Sequence, residues 1–531
     1  MISQGLPPLI QQMLWPSFYP HWTQDKIELV QTHTAYVLLT GNYAYKVKKP
    51  VNYGFLNYTT LAARKHYVEE ELRLNQRTAQ EIYLAAIPIY QQGEQFSLLG
   101  QGEPVEYAVK MHQFPSRSLF SDLLAQGKLT PALIKRLAHQ VAVFHQRAMV
   151  SDYIQAFGTV VKIRQAFDEN YAQSLPYIGR GQTQQQLQET QKYTDRIFTE
   201  HQERFQTRIQ QQKIRECHGD LHLRNICLWQ DRIFLFDCIE FNEAFRYVDT
   251  MYDVAFTVMD CDAHGRYDLG NLFLNTYLEE TGDWEGLEVL PLYLSRQAYV
   301  RAKTTSFLLD DPTIDAEKKE QIQTQSQAYY TLAWRYTQLH PGQLVLMSGL
   351  SGVGKSTVAQ ELALLTNALH IRSDAVRKHL AGMSLKQRGD ANLYTSEMTQ
   401  RTYARLGDLG IRLAKLGHIV ILDAKYDRIA TRQAVLTQAK ASRVPVSILV
   451  CQAPFGVICQ RLQQRTDDIS DATSELLTKQ KATTEALTNE EESLATYLDT
   501  NTNFKEGIQA LAAKIGSAMA VYKSSAESSE G

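Results

Sequence analysis

One octapeptide constrains this chain more than any other feature. Gly349-Leu350-Ser351-Gly352-Val353-Gly354-Lys355-Ser356 matches G-x-x-x-x-G-K-[ST] in full. Its glycines let backbone N–H groups converge on phosphate oxygens without Cβ clashes. The helix that follows directs its positive end at the anion. Lys355 reaches the β- and γ-phosphates, and Ser356 can hold Mg²⁺. Thr357 completes the cofactor-binding set. A short apolar strand, Leu344 to Met347, precedes the loop, and a helical run, Thr357 to Leu365, follows it. A glycine-rich turn that binds nothing would not need that flanking order. The reading is a nucleoside triphosphate site, for ATP or GTP with Mg²⁺, on a parallel α/β sheet.

Two further strands end in polar residues at the carboxyl edge where open α/β sheets bind ligands. Ala368 to Ile371 runs into Arg372-Ser373-Asp374-Ala375-Val376-Arg377. Asp374 and Arg377 lie three apart and share a helix face. Asp374 can accept a hydroxyl proton, and Arg377 can bind an anionic substrate. Ser373 or Asp374 can also serve simply as a helix cap. His418 to Leu422 ends at Asp423, the pattern of a Walker-B-type metal or water ligand. Arg461 and Arg465 lie four apart and can close over the phosphates as a lid, or sit on a solvated helix face.

This assembly resembles the small P-loop kinases of metabolites and nucleic-acid ends, among them gluconate kinases and polynucleotide 5′-hydroxyl kinases. The resemblance covers about residues 342–515. It rests on the phosphate loop, SDAVRK, ILDAKY and R-x-x-x-R followed by SDA. In the family the D-x-x-R pair faces the acceptor, which makes Asp374 the candidate base.

A second constellation lies upstream. Residues 218–225 read His218-Gly219-Asp220-Leu221-His222-Leu223-Arg224-Asn225, and a short strand, Arg232 to Phe236, then leads to Asp237. The protein-kinase loop H-R-D-x-x-x-x-N has the same Asp-to-Asn spacing and a metal-binding Asp downstream. With glycine in place of arginine, the motif is similar to the aminoglycoside phosphotransferase-like kinases, including the choline kinase relatives. The resemblance covers about residues 25–335. It implies Asp220 as the base, and Asn225 and Asp237 as Mg²⁺ ligands. Glu240 is either a second ligand or a surface residue. Asp249 and Asp253 are supporting residues, and His218 is a structural hydrogen-bonder. Lys46, in Ala44-Tyr45-Lys46 on a strand, is the candidate phosphate-pairing lysine, with Lys48 on the same face as the competitor. Of Glu69, Glu70 and Glu71 on the next helix, Glu70 is the favoured partner. The first hairpin carries Gln31-Thr32-His33-Thr34 where protein kinases carry glycines, a departure that hydroxyls can offset.

The pair of halves resembles bacterial two-part proteins with a phosphotransferase-like domain fused to a P-loop kinase-like domain. The expected class is mixed α/β and α+β. An N-terminal bilobal protein-kinase-like fold spans 1–340, a doubly wound parallel sheet spans 341–522, and 523–531 is a disordered tail. His340-Pro341-Gly342 marks the break. The expected activity is phosphoryl transfer to a small-molecule hydroxyl, at both halves. The alternatives are a regulated ATPase with a ligand-sensing first half, and a nucleic-acid 5′-hydroxyl kinase. The net charge of −2 argues against a nucleic-acid partner. The six cysteines form no C-x-x-C pair, which suits reduced thiols in the cytoplasm. No run approaches the ~18 apolar residues that span a bilayer, and the first residues do not read as a signal peptide.

Overall fold

The computed structural model describes residues 5–54, 56–464, 469, 475–502 and 504–515. Arg465 and the expected tail over 523–531 lie outside them. The chain divides into two compact units. One is the chain up to Gln173 with Arg196–Asp260; the other is Ser174–Asp195 with the chain from Cys261 onward. This division follows packing. The break at 340 follows the linear order of the motifs, and the two do not coincide. Among the described residues no helix is long and apolar enough to cross a membrane.

The first unit is built on an antiparallel sheet. Its strands are β1 (Glu28–Gln31), β2 (Ala35–Leu39), β3 (Tyr43–Lys48), β4 (Tyr83–Gln92), β5 (Gln95–Ser97) and β6 (Glu106–His112). They pair in the order β1-β2-β3-β6-β4-β5. Alternation decides what β3 presents to each side. Tyr45 and Val47 enter an apolar cluster with Leu38, Ile89 and Ala108. Lys46 and Lys48 therefore point the other way. Helix Leu61–Ala79 begins where the Thr60 hydroxyl accepts the N–H of Ala63 at 3.1 Å. Its buried stripe runs Arg64, Val68, Glu71, Leu74 and Asn75, the spacing of one helix face. Two small ribbons follow. β7 (Ile214–Glu216) pairs with β10 (Tyr247–Asp249), and β8 (Ile226–Trp229) with β9 (Arg232–Leu235), all antiparallel. The 217–225 loop joins β7 to β8.

The second unit contains a five-stranded parallel sheet. It comprises β11 (Gln343–Ser348), β12 (Leu369–Arg372), β13 (Ile419–Asp423), β14 (Val446–Gln452) and β15 (Ala495–Asp499), in the order β12-β13-β11-β14-β15. Val345, Met347, Ile421 and Leu449 join one buried cluster with Val358 and Leu362 of the helix after the loop. Such continuous apolar runs are expected of parallel strands covered on both faces. The helices Tyr267–Thr281, Leu290–Phe307 and Ala316–Arg335 belong to this unit as well.

Candidate functional site

The phosphate loop leaves β11 and enters helix Lys355–Thr366. Gly349 has φ 134°, and a Cβ there would stand 2.6 Å from the carbonyl oxygen of Cys451. Only glycine meets both conditions. Lys355 is buried, and its Nζ donates to the carbonyls of Gly349 and Leu350 at 2.9 and 2.8 Å. Burial lowers its proton affinity, partly offset by Asp423. A cavity of about 940 Å³ opens over the loop. Ser351, Gly352, Gly354, Lys355, Ser356 and Thr357 line it on one side, and Asp374, Arg377 and Asp423 also line it. The Val353 side chain is buried in the core, and that of Leu350 packs against it.

Asp423 ends β13, opposite Arg372 in the parallel register with β12. His370 Nε2 is 3.0 Å from Asp423 Oδ2, and Arg372 Nε is 4.0 Å from the same oxygen. Burial pushes this carboxyl up, but His370, Arg372 and Lys355 overcome it and hold the group well below the usual carboxylate range. The sequence assigned His370 and Arg372 no role. Their signal was available, since two polar residues at period two face one side of a strand. Helix Ser373–Leu380 has Arg372 at its N-cap position, so neither Ser373 nor Asp374 is the cap. Arg377 is 7% exposed. Its Nη1 donates to Leu393 O and Thr399 Oγ1 at 3.3 and 3.2 Å, and its guanidinium lies 5.1 Å from the Tyr394 ring centroid. No carboxylate pairs with it among the described residues.

The lid expected from Arg461 needs correction. Arg461 borders the cavity, but its Nη1 donates to Val353 O and Thr500 Oγ1 at 3.1 and 3.0 Å, and its Nη2 to Thr500 O at 2.8 Å. It is tied to Val353 and Thr500 rather than standing free to close over the loop.

In the first unit, Lys46 Nζ lies 2.8 Å from Glu71 Oε1 and 2.6 Å from Asp237 Oδ1. Lys48 Nζ is 2.7 Å from Glu71 Oε2 and also pairs with Glu240. Glu71, not Glu70, is therefore the helical partner. Glu70 lies one residue off the buried stripe and pairs with Arg73 and Arg246 at 2.6 and 3.1 Å. Glu240 is buried, bonded to Lys48 and Tyr58, and so is not a surface residue. Burial would raise the Glu71 carboxyl, but the two ammonium groups overcome it and pull the carboxyl down.

The 217–225 loop is held from below. Asp253 accepts the N–H groups of His218 and Gly219 at 2.7 and 2.8 Å, and His145 Nε2 lies 3.2 Å from it. Gly219 has φ 85°, and a Cβ would stand 2.4 Å from Phe245 O. That contact explains glycine where protein kinases have arginine. Asn225 Nδ2 donates to Asp220 Oδ2 at 3.0 Å. Asp237 adopts φ 63°, a backbone non-glycine residues seldom take, and its N–H reaches the Tyr83 hydroxyl at 3.2 Å. Asp249 is gripped by Arg208, at 2.8 and 2.6 Å.

Both sites offer hard oxygen donors that suit Mg²⁺. In the second unit these are the Ser356 hydroxyl and the Asp423 carboxylate, kept ionised by its neighbours. In the first they are the Asp237 carboxylate and the Asn225 amide, whose nitrogen turns to Asp220.

Residues 344–487 match the family model described as an AAA domain. That span contains the phosphate loop, Asp374, Arg377 and Asp423. Uncharacterized proteins of Mycobacterium bovis and Mycobacterium tuberculosis are each 28% identical over 466 residues, spanning 86% of this chain and 90% of theirs. A sugar kinase from Janibacter sp. HTCC2649 is 25% identical, covering 34% of this chain and 98% of its own, with a TM-score of 0.28. Amicoumacin kinase hAmiN, in complex with AMP-PNP, Ca²⁺ and Ami, is 14% identical, covering 61% of this chain and 92% of its own, with a TM-score of 0.37.

Proposed function

We propose that this chain is a phosphotransferase using ATP or GTP with Mg²⁺, with two transfer sites that each act on a small-molecule hydroxyl. One observation carries the reading. Phosphate-loop residues and the Asp374–Arg377 pair line the same cavity, so donor phosphates and an acceptor have room side by side. In the second unit, Lys355 and the loop N–H groups hold the β- and γ-phosphates. Ser356 and Asp423 would hold Mg²⁺, which neutralises charge on the transferring group. Asp374 takes the acceptor's hydroxyl proton as the new O–P bond forms and the bond to the β-phosphate oxygen breaks. Arg377, buried with no carboxylate partner among the described residues, binds an anionic group of the acceptor.

In the first unit, Asp220 is the base, Asn225 and Asp237 the metal ligands, and Lys46 the phosphate-pairing lysine held by Glu71. A net charge of −2 favours a small molecule over nucleic acid. None of the six cysteines is in a disulfide, which suits the reducing cytoplasm.

The test is untargeted mass spectrometry of a metabolite extract incubated with ATP and wild type, Lys355→Ala or Asp220→Ala. Each variant is expected to lose its own set of phosphorylated products. Product sets identical to wild type in both variants would sink the proposal.

One observation favours a second reading, in which the first unit senses a ligand without transferring phosphate. The Thr32 hydroxyl accepts the N–H groups of Ala35 and Thr34 at 2.9 and 3.3 Å. The β1–β2 turn thus spends on itself donors that a glycine loop would offer to phosphate. An Asp220→Ala variant with an unchanged product set would select this reading. Incorporation of label into a 5′-hydroxyl oligonucleotide, lost in Asp374→Asn, would instead favour a nucleic-acid end kinase.

A further inference from the structure

The parallel sheet ends on an edge. β12 pairs with β13 on one side only, and its other side presents backbone groups that need partners. A helix supplies them. Asn271, Asn275 and Glu279 lie four apart on helix Tyr267–Thr281 and form one stripe. They meet Ala368, His370 and Arg372, which lie two apart along the edge. Asn271 and Asn275 donate through Nδ2 to Ala368 O at 2.9 and 3.0 Å. Asn275 Oδ1 accepts the N–H of His370 at 2.8 Å. Glu279 Oε1 lies 3.6 Å from Arg372 Nη1. The carbonyl of Glu279 accepts from His379 Nε2 at 2.8 Å, and Trp284 stands edge-on to that imidazole with centroids 5.6 Å apart.

On its own terms this stripe is a poor helix face. Two asparagines in a helix interior favour other conformations, and Asn271 is only 3% exposed. A glutamate in the last turn opposes the helix dipole. All three residues make sense as the mate of an edge strand. That strand in turn aims His370 and Arg372 at Asp423. The helix tethered through His379 carries Asp374 and Arg377.

We propose that helix Tyr267–Thr281 is a positioning element of the P-loop site, with Glu279 the residue that holds Arg372 back from Asp423. This rests on the phosphotransferase reading of that site. Arg372 places its guanidinium 3.6 Å from Glu279 and 4.0 Å from Asp423. Without the Glu279 charge, its guanidinium turns to Asp423 and competes with Mg²⁺ for that carboxylate. The helix precedes the break at 340, so the site draws on residues outside the segment that carries its motifs.

The test uses full-length protein and mant-ATP as the fluorescent probe, following the Lys355-dependent part of the binding with and without Mg²⁺. Glu279→Gln is expected to need about ten-fold more Mg²⁺ to reach the same enhancement, the scale on which outer partners of metal ligands act. Binding without Mg²⁺ should not change, and Glu279→Asp should recover most of the shift. Adding Glu279→Gln to Arg372→Gln should produce no further shift. One shared Mg²⁺ curve for Glu279→Gln and wild type overturns the proposal, as does a shift that persists in full in the Arg372→Gln background. A shift of equal size in Glu279→Asp that tracks lost thermal stability marks a merely structural helix, and also overturns it. Wild-type binding that Lys355→Ala leaves untouched would instead bring down the reading of the site itself.

Discussion

The glycine-rich loop of the second unit and the β1–β2 turn of the first treat their backbone in opposite ways. In the second unit, Gly349, Gly352 and Gly354 take positive-φ backbones, and Gly352 and Gly354 line the cavity. In the first, the turn after β1 has no glycine, and Thr32 consumes two of its N–H groups. The lysines differ in the same sense. Lys355 rests on two carbonyls, with burial lowering its proton affinity, so its charge is poorly neutralised and invites polyphosphate. Lys46 is also opposed by burial, but Asp237 and Glu71 outweigh it and raise its proton affinity well above the ordinary value. Its charge is already balanced. The lysine of the P-loop rests on backbone carbonyls, whereas the lysine of the first unit rests on carboxylates.

The largest test of that contrast compares nucleotide turnover. Lys355→Ala in an Asp220→Ala background should lower the remaining ATP consumption by roughly 10³-fold, the scale for losing one preorganised charge contact. A drop of only a few fold would break the comparison, because the loop backbone alone would then suffice. Next is a pair of neighbours. Glu71→Gln takes a buried carboxylate partner from both Lys46 and Lys48 and should cost about 3–5 kcal/mol in urea unfolding. Glu70→Gln loses partly exposed contacts and should cost about 1 kcal/mol or less. Equal costs would return the lysine partner to doubt.

The smallest effect is one of pH. Burial pulls the His418 imidazole, whose Nε2 is enclosed with no hydrogen-bond partner among the described residues, down to about 4 from 6.5. Below pH 6.5 the unfolded chain takes up a proton there that the folded chain refuses, so stability falls as pH drops from 6.5 toward 4. The Glu71 carboxyl is opposed by burial but pulled down from 4.5 by Lys46 and Lys48, so its contribution is full above pH 4.5 and lost only below it. Urea melts at pH 7, 5.5 and 4 should show the first loss flattened in His418→Gln and intact in Glu71→Gln. The reverse pattern would contradict both assignments.

Much of this was legible in the sequence because it is local. The phosphate loop, the helix after it, the β2–β3 hairpin and the Asp220-to-Asn225 spacing each depend on residues close together in the chain. So does Asp423, since four apolar residues ending in Asp place a carboxylate at a strand's end. What was not legible depends on rotation and distance. Glu69, Glu70 and Glu71 look alike in sequence, and only the buried stripe through Arg64, Val68 and Asn75 selects Glu71. Arg461 has the spacing of a lid, but Thr500, far along the chain, captures it. β14 and β15 were not anticipated, because short apolar runs declare themselves as strands only when neighbours pair with them.

The sequence by itself determined that a nucleotide-phosphate loop stands on a parallel strand, and that a second set of kinase-like residues precedes it. Its reach stops at the order of the motifs. Tertiary structure decided which carboxylate meets Lys46, which arginine approaches Asp423, and which helix completes the sheet edge. Asn271, Asn275 and Glu279 read as an ordinary polar face until β12 lies against them. Backbone groups on a sheet edge must be satisfied by whatever the fold brings there, and that requirement leaves no signature in the local spacing of residues.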